Sequence, residues 1–257
     1  MRMQDKVAIV TGAGSGIGRA SALLFAAEGA AVMCQDLNEA TASETASAIR
    51  DVGGTAAVAG GDVTDPAAIE AMFEMVDTEL GVVTTVMSNA GVSGLPGDGG
   101  DGKGAVSTPM LTDQGFFKML EIHLGQIMYL SRAAIPRMTS AGAGGSIIGL
   151  SSIAGLAGMG GIHYSTAKGG VLGFVKSLAR EVGPQGIRVN AICPGVIDTP
   201  MTQQVPPEYL EPMIASTPLR RLGTADDIAN SALFLGSEES AYVTGQWISP
   251  NGGIHMG

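Results

Sequence analysis

The chain is poor in cysteine, in positive charge, in aromatic residues and in long hydrophobic runs. Only Cys34 and Cys193 occur among its 257 residues, too few for a disulfide framework. Both sit inside apolar runs, so buried, reduced thiols and a cytoplasmic setting are expected. Lys and Arg number 14 against 24 Asp and Glu, a formal net charge of −10. A nucleic-acid binder needs clustered basic residues on the phosphate backbone, and an anionic lipid surface needs the same. Both classes are excluded. No stretch reaches the ~18 uninterrupted apolar residues of a membrane helix. The polar start, Met1 to Lys6, runs straight into the first apolar run, so no secretory signal is expected. The three histidines, His123, His163 and His255, stand at no metal-ligand spacing, and no metal is expected.

What is present describes a well-packed globular chain. Hydrophobic residues make up 45% and charged ones 15%. A chain of this length buries roughly 75% of its unfolded surface. Glycine is abundant, 39 residues, but without the triplet period of collagen. Seven short apolar runs recur: Val7–Val10, Ala30–Gln35, Thr55–Ala59, Val82–Met87, Ser146–Leu150, Ile187–Ile192 and Gln246–Ser249. Segments with helical spacing lie between them: Ile17–Glu28, Glu39–Val52, Pro66–Glu79, Thr112–Met138, Tyr164–Val182 and Ala225–Gly236. Continuously apolar strands alternating with helices predict a parallel sheet covered on both faces. The expected fold is therefore α/β, a doubly wound, Rossmann-type parallel sheet of seven strands. No linker or composition shift interrupts residues 1–257, so one domain is expected. From Gly91 to Gly104, seven of fourteen residues are glycine, and a flexible surface loop is predicted there. Asp98 and Asp101 in it lack the ligand alternation of a calcium loop. Pro194 to Gly223 carries five further prolines. Loops at the carboxyl ends of strands surround the ligand in such sheets, so 91–111 and 194–223 are the expected substrate loops.

The first strand leads into Thr11-Gly12-Ala13-Gly14-Ser15-Gly16-Ile17-Gly18, opening a helix. Glycines let a pyrophosphate approach the backbone, and the helix start offers free N–H groups and a positive dipole end. The spacing is T-G-x-x-x-G-x-G rather than G-x-G-x-x-G. Gly12, Ser15, Gly16, Ile17 and Gly18 are the expected phosphate-binding residues. Asp36 follows Gly16 by twenty residues, at the end of the second strand. A carboxylate there accepts both hydroxyls of an adenosine ribose and repels a 2′-phosphate. Leu37 follows, with no basic residue nearby, which favours NAD over NADP.

Tyr164 and Lys168 stand four apart at the start of a helical segment, on one helix face. A free phenol, pKa ~10, is a poor base at neutral pH. A neighbouring ammonium lowers that value and lets the phenol exchange a proton with an alcohol or carbonyl. Ser152, twelve residues before Tyr164, can hydrogen-bond the substrate oxygen.

Taken in order, the Thr11–Gly18 turn, Asp36, Asp62-Val63, Asn89-Ala90-Gly91, Ser152, Tyr164-x-x-x-Lys168 and Pro194-Gly195 resemble the short-chain dehydrogenase/reductase family. The resemblance covers essentially the whole chain. It implies that Asp62 and Val63 meet the adenine, and that Asn89 supports the sheet and the cofactor ribose. It implies that Ala90 and Gly91 pass close to the dinucleotide. Tyr164 would be the general acid/base, Lys168 the partner of the nicotinamide ribose, and Ser152 the holder of the substrate oxygen. Pro194 and Gly195 would close over the nicotinamide, with Ile197 and Thr199 near its carboxamide.

Two departures stand out. The family pattern Asn-Leu-x-Gly is met here by Ile122-His123-Leu124-Gly125, which puts His123 at the Asn position. That Asn is thought to hold a relay water. A neutral imidazole, with one donor and one acceptor, either takes that part or packs as a helix histidine. The Ser152-to-Tyr164 interval is also one residue short, which leaves Ser151 as a possible substitute.

Leu156, Met159, Gly160, Gly161, Ile162, Val196, Met201 and Met110 are the expected surroundings of the reacting carbon, with Met159, Ile162 and Met201 as substrate contacts. Such a lining suits a hydrophobic secondary alcohol or ketone. The reading is an NAD-dependent alcohol dehydrogenase or ketone reductase. The alternatives are a 3-oxoacyl carrier-protein reductase and a non-catalytic NAD-binding regulator. The long helices carry apolar positions beyond one face, and members of the family often pair these helices across a two-fold axis, so the resemblance implies a homotetramer.

Overall fold

The structure, a computed structural model, describes residues 1–102 and 104–257. Seven strands form one sheet: β1 Val7–Thr11, β2 Ala31–Asp36, β3 Thr55–Gly60, β4 Thr85–Ser88, β5 Gly145–Leu150, β6 Ile187–Ile192 and β7 Trp247–Ile248. Every pairing is parallel, in the order β3-β2-β1-β4-β5-β6-β7. The central strands are buried on both faces, which is why they read as unbroken apolar runs.

Nine α-helices connect the described strands: α1 Gly16–Ala27, α2 Glu39–Asp51, α3 Pro66–Glu79, α4 Asp113–Leu120, α5 Gln126–Ala141, α6 Ile153–Ala157, α7 Ile162–Val182, α8 Pro207–Ser216 and α9 Ala225–Gly236. On one face α3, α5 and α7 bury Phe73, Ile127, Leu130, Met138 and Val175. On the other α1, α2 and α9 bury Phe25, Ile49, Ile228 and Leu233. Each such side chain contributes about 1.5–3 kcal/mol. Local chemistry sets the helix starts. Asn38 and Asp65 accept the N–H groups of Ala40 and Ala67, and Thr224 with Asp227 forms a capping box. Among the described residues no helix is long and apolar enough to cross a membrane.

The chain leaves β1 in one direction for β2 and β3, then returns to place β4 on the other side. The carboxyl ends of β1 and β4 therefore diverge, and a crevice opens between them.

Three local features differ from the sequence expectation. The helix expected over 112–138 is interrupted by a π-helical turn, Glu121–Gly125, which contains His123. Turns of this kind insert one extra residue and concentrate at functional sites. Helices α6 and α8 were not expected. Ser152 caps the first, accepting the Ala154 N–H at 3.1 Å, and Pro207 opens the second.

The described residues of the glycine-rich stretch form no regular element, as expected, and Asp98 is their main point of attachment. Asp98 is fully buried. Its carboxylate accepts the N–H groups of Leu95 at 3.0 Å and Gly100 at 2.8 Å, and its carbonyl accepts that of Thr112 at 3.0 Å. The glycines serve close approach: a Cβ on Gly99, where φ is 102°, would lie 1.8 Å from the Met110 carbonyl oxygen.

Candidate active site

The turn after β1 is shaped for an anion. Ser15 opens α1 without a side-chain capping bond, and no acidic residue stands in the first turn. The first N–H groups of the helix are thus left for a ligand. Gly16 is left-handed, φ 50°, and a Cβ there would approach the Thr199 methyl to 3.2 Å. The segment after β6 therefore faces the turn across the crevice. Gly12, Ser15, Gly16 and Ile17 line it. Gly18 does not: it lies beneath the turn, where a Cβ would stand 2.0 Å from the Gly12 carbonyl oxygen. Its service is to helix–strand packing rather than to ligand contact.

Asp36 ends β2 beside the turn. One carboxylate oxygen accepts the Gly14 N–H at 2.9 Å and the other the Asn38 N–H at 3.0 Å. The acid thus fixes the turn, and it lines the crevice. Leu37 is exposed next to it. Asp62 accepts both the N–H and the hydroxyl of Thr64 at 2.8 Å, with Val63 largely buried between them. Burial pushes the Asp62 carboxyl up, but these bonds and the Lys118 charge outweigh it and hold it below the usual range.

Asn89 and Ala90 stitch β4 to β1. Both backbone N–H groups donate to the Thr11 hydroxyl, and the Asn89 side chain donates to the Thr11 carbonyl at 2.8 Å. Gln126, which sequence reasoning missed, donates to the carbonyls of Ala90 and Ile122 and accepts from the Thr11 hydroxyl. Across the crevice, Pro194 accepts the Ile153 N–H, and Gly195 lies where a Cβ would strike Asn251 at 2.7 Å. The carbonyl of Ile197 accepts the Thr202 hydroxyl at 2.6 Å. Pro194, Gly195, Ile197 and Thr199 all line the crevice, a cleft of about 700 Å³.

Tyr164 and Ser152 meet at the inner end of this cleft. Both line it, and the Ser152 hydroxyl beside the phenol opposes the effect of burial on Tyr164. Ser151 is no substitute, because its buried hydroxyl donates to the Lys168 carbonyl at 2.8 Å. The Lys168 ammonium donates to the Leu150 carbonyl at 2.6 Å and stands 5.6 Å from the Tyr164 ring centre. Burial lowers its pKa to about 7. The expected lowering of the phenol does not arise from the chain alone. Burial raises Tyr164, and the Ser152 hydroxyl offsets only part of that.

His123 is buried and stacks edge-on against Tyr164. Its Nε2 lies 2.9 Å from the Val92 carbonyl oxygen, so the neutral ring carries its proton there. Nδ1 is buried without a hydrogen-bond partner. Burial, then the charge of Lys168, holds the imidazole well below its usual pKa.

Met159 and Met201 line the substrate end of the cleft as expected, and so does Val196. Ile162 and Met110 point away and are exposed. Val92, Leu95, Ile122, Ile153 and Met213 also line it. Val92, Leu95 and Met213 fall in the two expected substrate loops, whereas Ile122 and Ile153 come from elements that no local pattern marked. Among the described residues no three His, Cys, Asp or Glu side chains cluster as a metal site.

Residues 12–255 match the family model described as enoyl-(acyl carrier protein) reductase. The chain is 38% identical to the 3-oxoacyl-acyl-carrier-protein reductase FabG of Escherichia coli (strain K12), over all of both chains. It is 35% identical to the (3R)-3-hydroxyacyl-CoA dehydrogenase of Canis lupus familiaris, covering 100% of this chain and 98% of the other. A solved short-chain type dehydrogenase/reductase from Mycobacterium marinum superposes with a TM-score of 0.91 at 29% identity, covering 99% of this chain and 97% of that one.

Proposed function

The chain belongs to the short-chain dehydrogenase/reductase family of oxidoreductases, and from that premise we propose that it interconverts a hydrophobic secondary alcohol and its ketone with NAD. The observation that carries the reading is the meeting of Ser152, Tyr164 and Lys168 in one cleft that Asp36 also lines, with the Lys168 ammonium 5.6 Å from the Tyr164 ring centre.

Asp36 takes the adenosine ribose hydroxyls and disfavours a 2′-phosphate. The bare start of α1 takes the pyrophosphate. The bound nicotinamide supplies or accepts the hydride. Ser152 donates to the substrate oxygen and orients it towards Tyr164. Tyr164 takes the hydroxyl proton in oxidation and returns it in reduction. Lys168, held by the Leu150 carbonyl, would hold the ribose of a bound nicotinamide and would stabilise the phenolate as it forms. Met159, Met201, Val92 and Leu95 exclude water from the reacting carbon. No charged side chain stands among these four, which suits an alicyclic or aromatic substrate.

We take residues 1–257 as one catalytic domain with substrate loops at 91–111 and 194–223, in a reducing, cytoplasmic compartment suited to the two buried thiols. We also read it as a homotetramer. Phe117 on α4, Tyr242, and Trp247 at the start of β7 are large apolar side chains left exposed, which suits burial against further copies of the chain.

A second reading is a reductase of 3-oxoacyl thioesters, favoured by the names of relatives that match over the whole chain. One assay separates the two. Nicotinamide absorbance is followed with NAD⁺ or NADP⁺ on cyclohexanol and 1-phenylethanol, and with NADH or NADPH on acetoacetyl-CoA. NAD⁺-dependent alcohol oxidation that is lost in Tyr164→Phe supports the first. NADPH-dependent thioester reduction without alcohol turnover supports the second. Turnover unchanged in Tyr164→Phe sinks the mechanism.

A further inference from the structure

One buried ionisable pair takes no part in that chemistry. Asp98, in the glycine-rich loop, and His163, next to Tyr164 at the start of α7, are both fully buried, with Oδ2 and Nε2 3.8 Å apart. That separation is an electrostatic contact, too long for a hydrogen bond, and neither ring nitrogen of His163 has a hydrogen-bond partner. Asp98 instead spends its oxygens on the loop: Oδ2 accepts the Leu95 N–H and Oδ1 the Gly100 N–H. The packing around the pair is tight. A Cβ on Gly115 would lie 2.6 Å from the Asp98 Cα, and one on Gly161 would lie 2.8 Å from the His163 ring and 3.0 Å from the Ala105 Cα. Leu95, whose amide Asp98 holds, lines the same cleft as Tyr164.

We propose that Asp98 and His163 are positioning residues that clasp the 91–111 loop to the catalytic helix and so fix the Val92–Leu95 wall that a substrate meets. The pair acts through that wall, not on the reacting atoms. An unpaired buried carboxylate is costly, so the loop has one stable seat, the one in which Leu95 and Gly100 satisfy it opposite the imidazole. A wall fixed in this way admits a substrate of matching shape without reordering at each turnover. The kinetic part of this inference rests on the alcohol dehydrogenase reading; the structural part does not.

The test uses the full chain with Asp98→Asn and His163→Gln. An Asn side chain keeps the size of Asp98 but can satisfy only one of the two amides, and Gln removes the ring. The first readout is hydrogen–deuterium exchange at the Leu95 and Gly100 amides, expected to quicken by about tenfold or more when a charged acceptor is lost. The second is kinetic. KM for 1-phenylethanol is expected to rise about tenfold while kcat holds within about twofold and NADH binding is unchanged. Where Asp98→Asn does not accumulate as folded protein, His163→Gln carries the same test. Exchange unaltered in the folded variants overturns the clasp. So does a fall in kcat at constant KM, or a joint loss of kcat and NADH binding. If the wild type oxidises none of the alcohols, the functional reading fails and the exchange readout alone decides the clasp.

Discussion

The His123 imidazole stands edge-on to the Tyr164 phenol, ring centres 5.2 Å apart and planes at 87°. Its Nε2 lies 2.9 Å from the Val92 carbonyl oxygen, so this histidine ties three things together: the π-helical turn, the chain leaving β4, and Tyr164. An edge-to-face pair of this kind is worth about 0.5–1.5 kcal/mol beyond burial. His123→Ala is therefore expected to lower kcat/KM by about tenfold, with NADH binding retained. Because the ring is held neutral by burial and by Lys168, it adds no limb of its own to the pH profile. His123→Asn should leave the shape of kcat/KM against pH unchanged. A limb near neutral pH that vanishes in His123→Asn would show instead that the imidazole titrates during turnover.

Gly91 and His123 are complementary. A Cβ on Gly91 would stand 2.4 Å from the His123 Cε1, and a ring wedged between β4 and Tyr164 has little room to give. Gly91→Ala should destabilise the fold by about 1–3 kcal/mol, the usual cost of overpacking, and should lower activity. His123→Ala placed on top should recover part of that stability. The readout is a double-mutant cycle of denaturant midpoints, and strict additivity would count against the contact.

The Tyr164 phenol is raised by burial, only partly countered by Ser152. Its basic form thus grows in as pH increases. Alcohol oxidation should climb with pH through the alkaline range, and ketone reduction should fall over the same range. Parallel kcat profiles in the two directions check this. Two flat profiles would mean that another group moves the proton.

Lys168 titrates at about 7 in the folded chain against an ordinary value of 10.5, because burial disfavours its charge. Between these values the unfolded chain binds more protons than the folded one, so stability rises with pH across that window. Below it both states are protonated and the contribution is constant. Thermal midpoints of the wild type should therefore gain on those of Lys168→Met between about pH 7 and pH 9. Curves that stay parallel would show that the ammonium is not desolvated.

Asp36 holds the Gly14 amide, and in the proposed reading it also takes the adenosine ribose. Asp36→Ser is expected to weaken NADH by about tenfold or more and NADPH by less, because the carboxylate that repels a 2′-phosphate is gone. Adding Leu37→Arg should raise NADPH affinity further. Fluorescence titration of both nucleotides gives the ratio. An unchanged ratio would remove Asp36 from cofactor choice.

Much of the molecule was legible in the residue order because its signals are local. Apolar runs of strand length alternating with helical spacing give the α/β class from steric and hydrophobic periods alone. The glycine turn, Asp36 twenty residues on, and Tyr164 four residues before Lys168 all follow from distances along one or two elements. Packing between distant segments decided the rest. Ser152 rather than Ser151 faces Tyr164 because Ser151 is bonded to the Lys168 carbonyl. Ile162 is the first residue of α7 and is exposed there instead of lining the cleft. The glycine-rich loop is seated because one aspartate within it is buried against a histidine more than sixty residues away. Neighbouring residues set which local shapes are cheap. Which surfaces then meet, and which polar atoms find partners, depends on free energies that exist only once the whole sheet and its helices have closed.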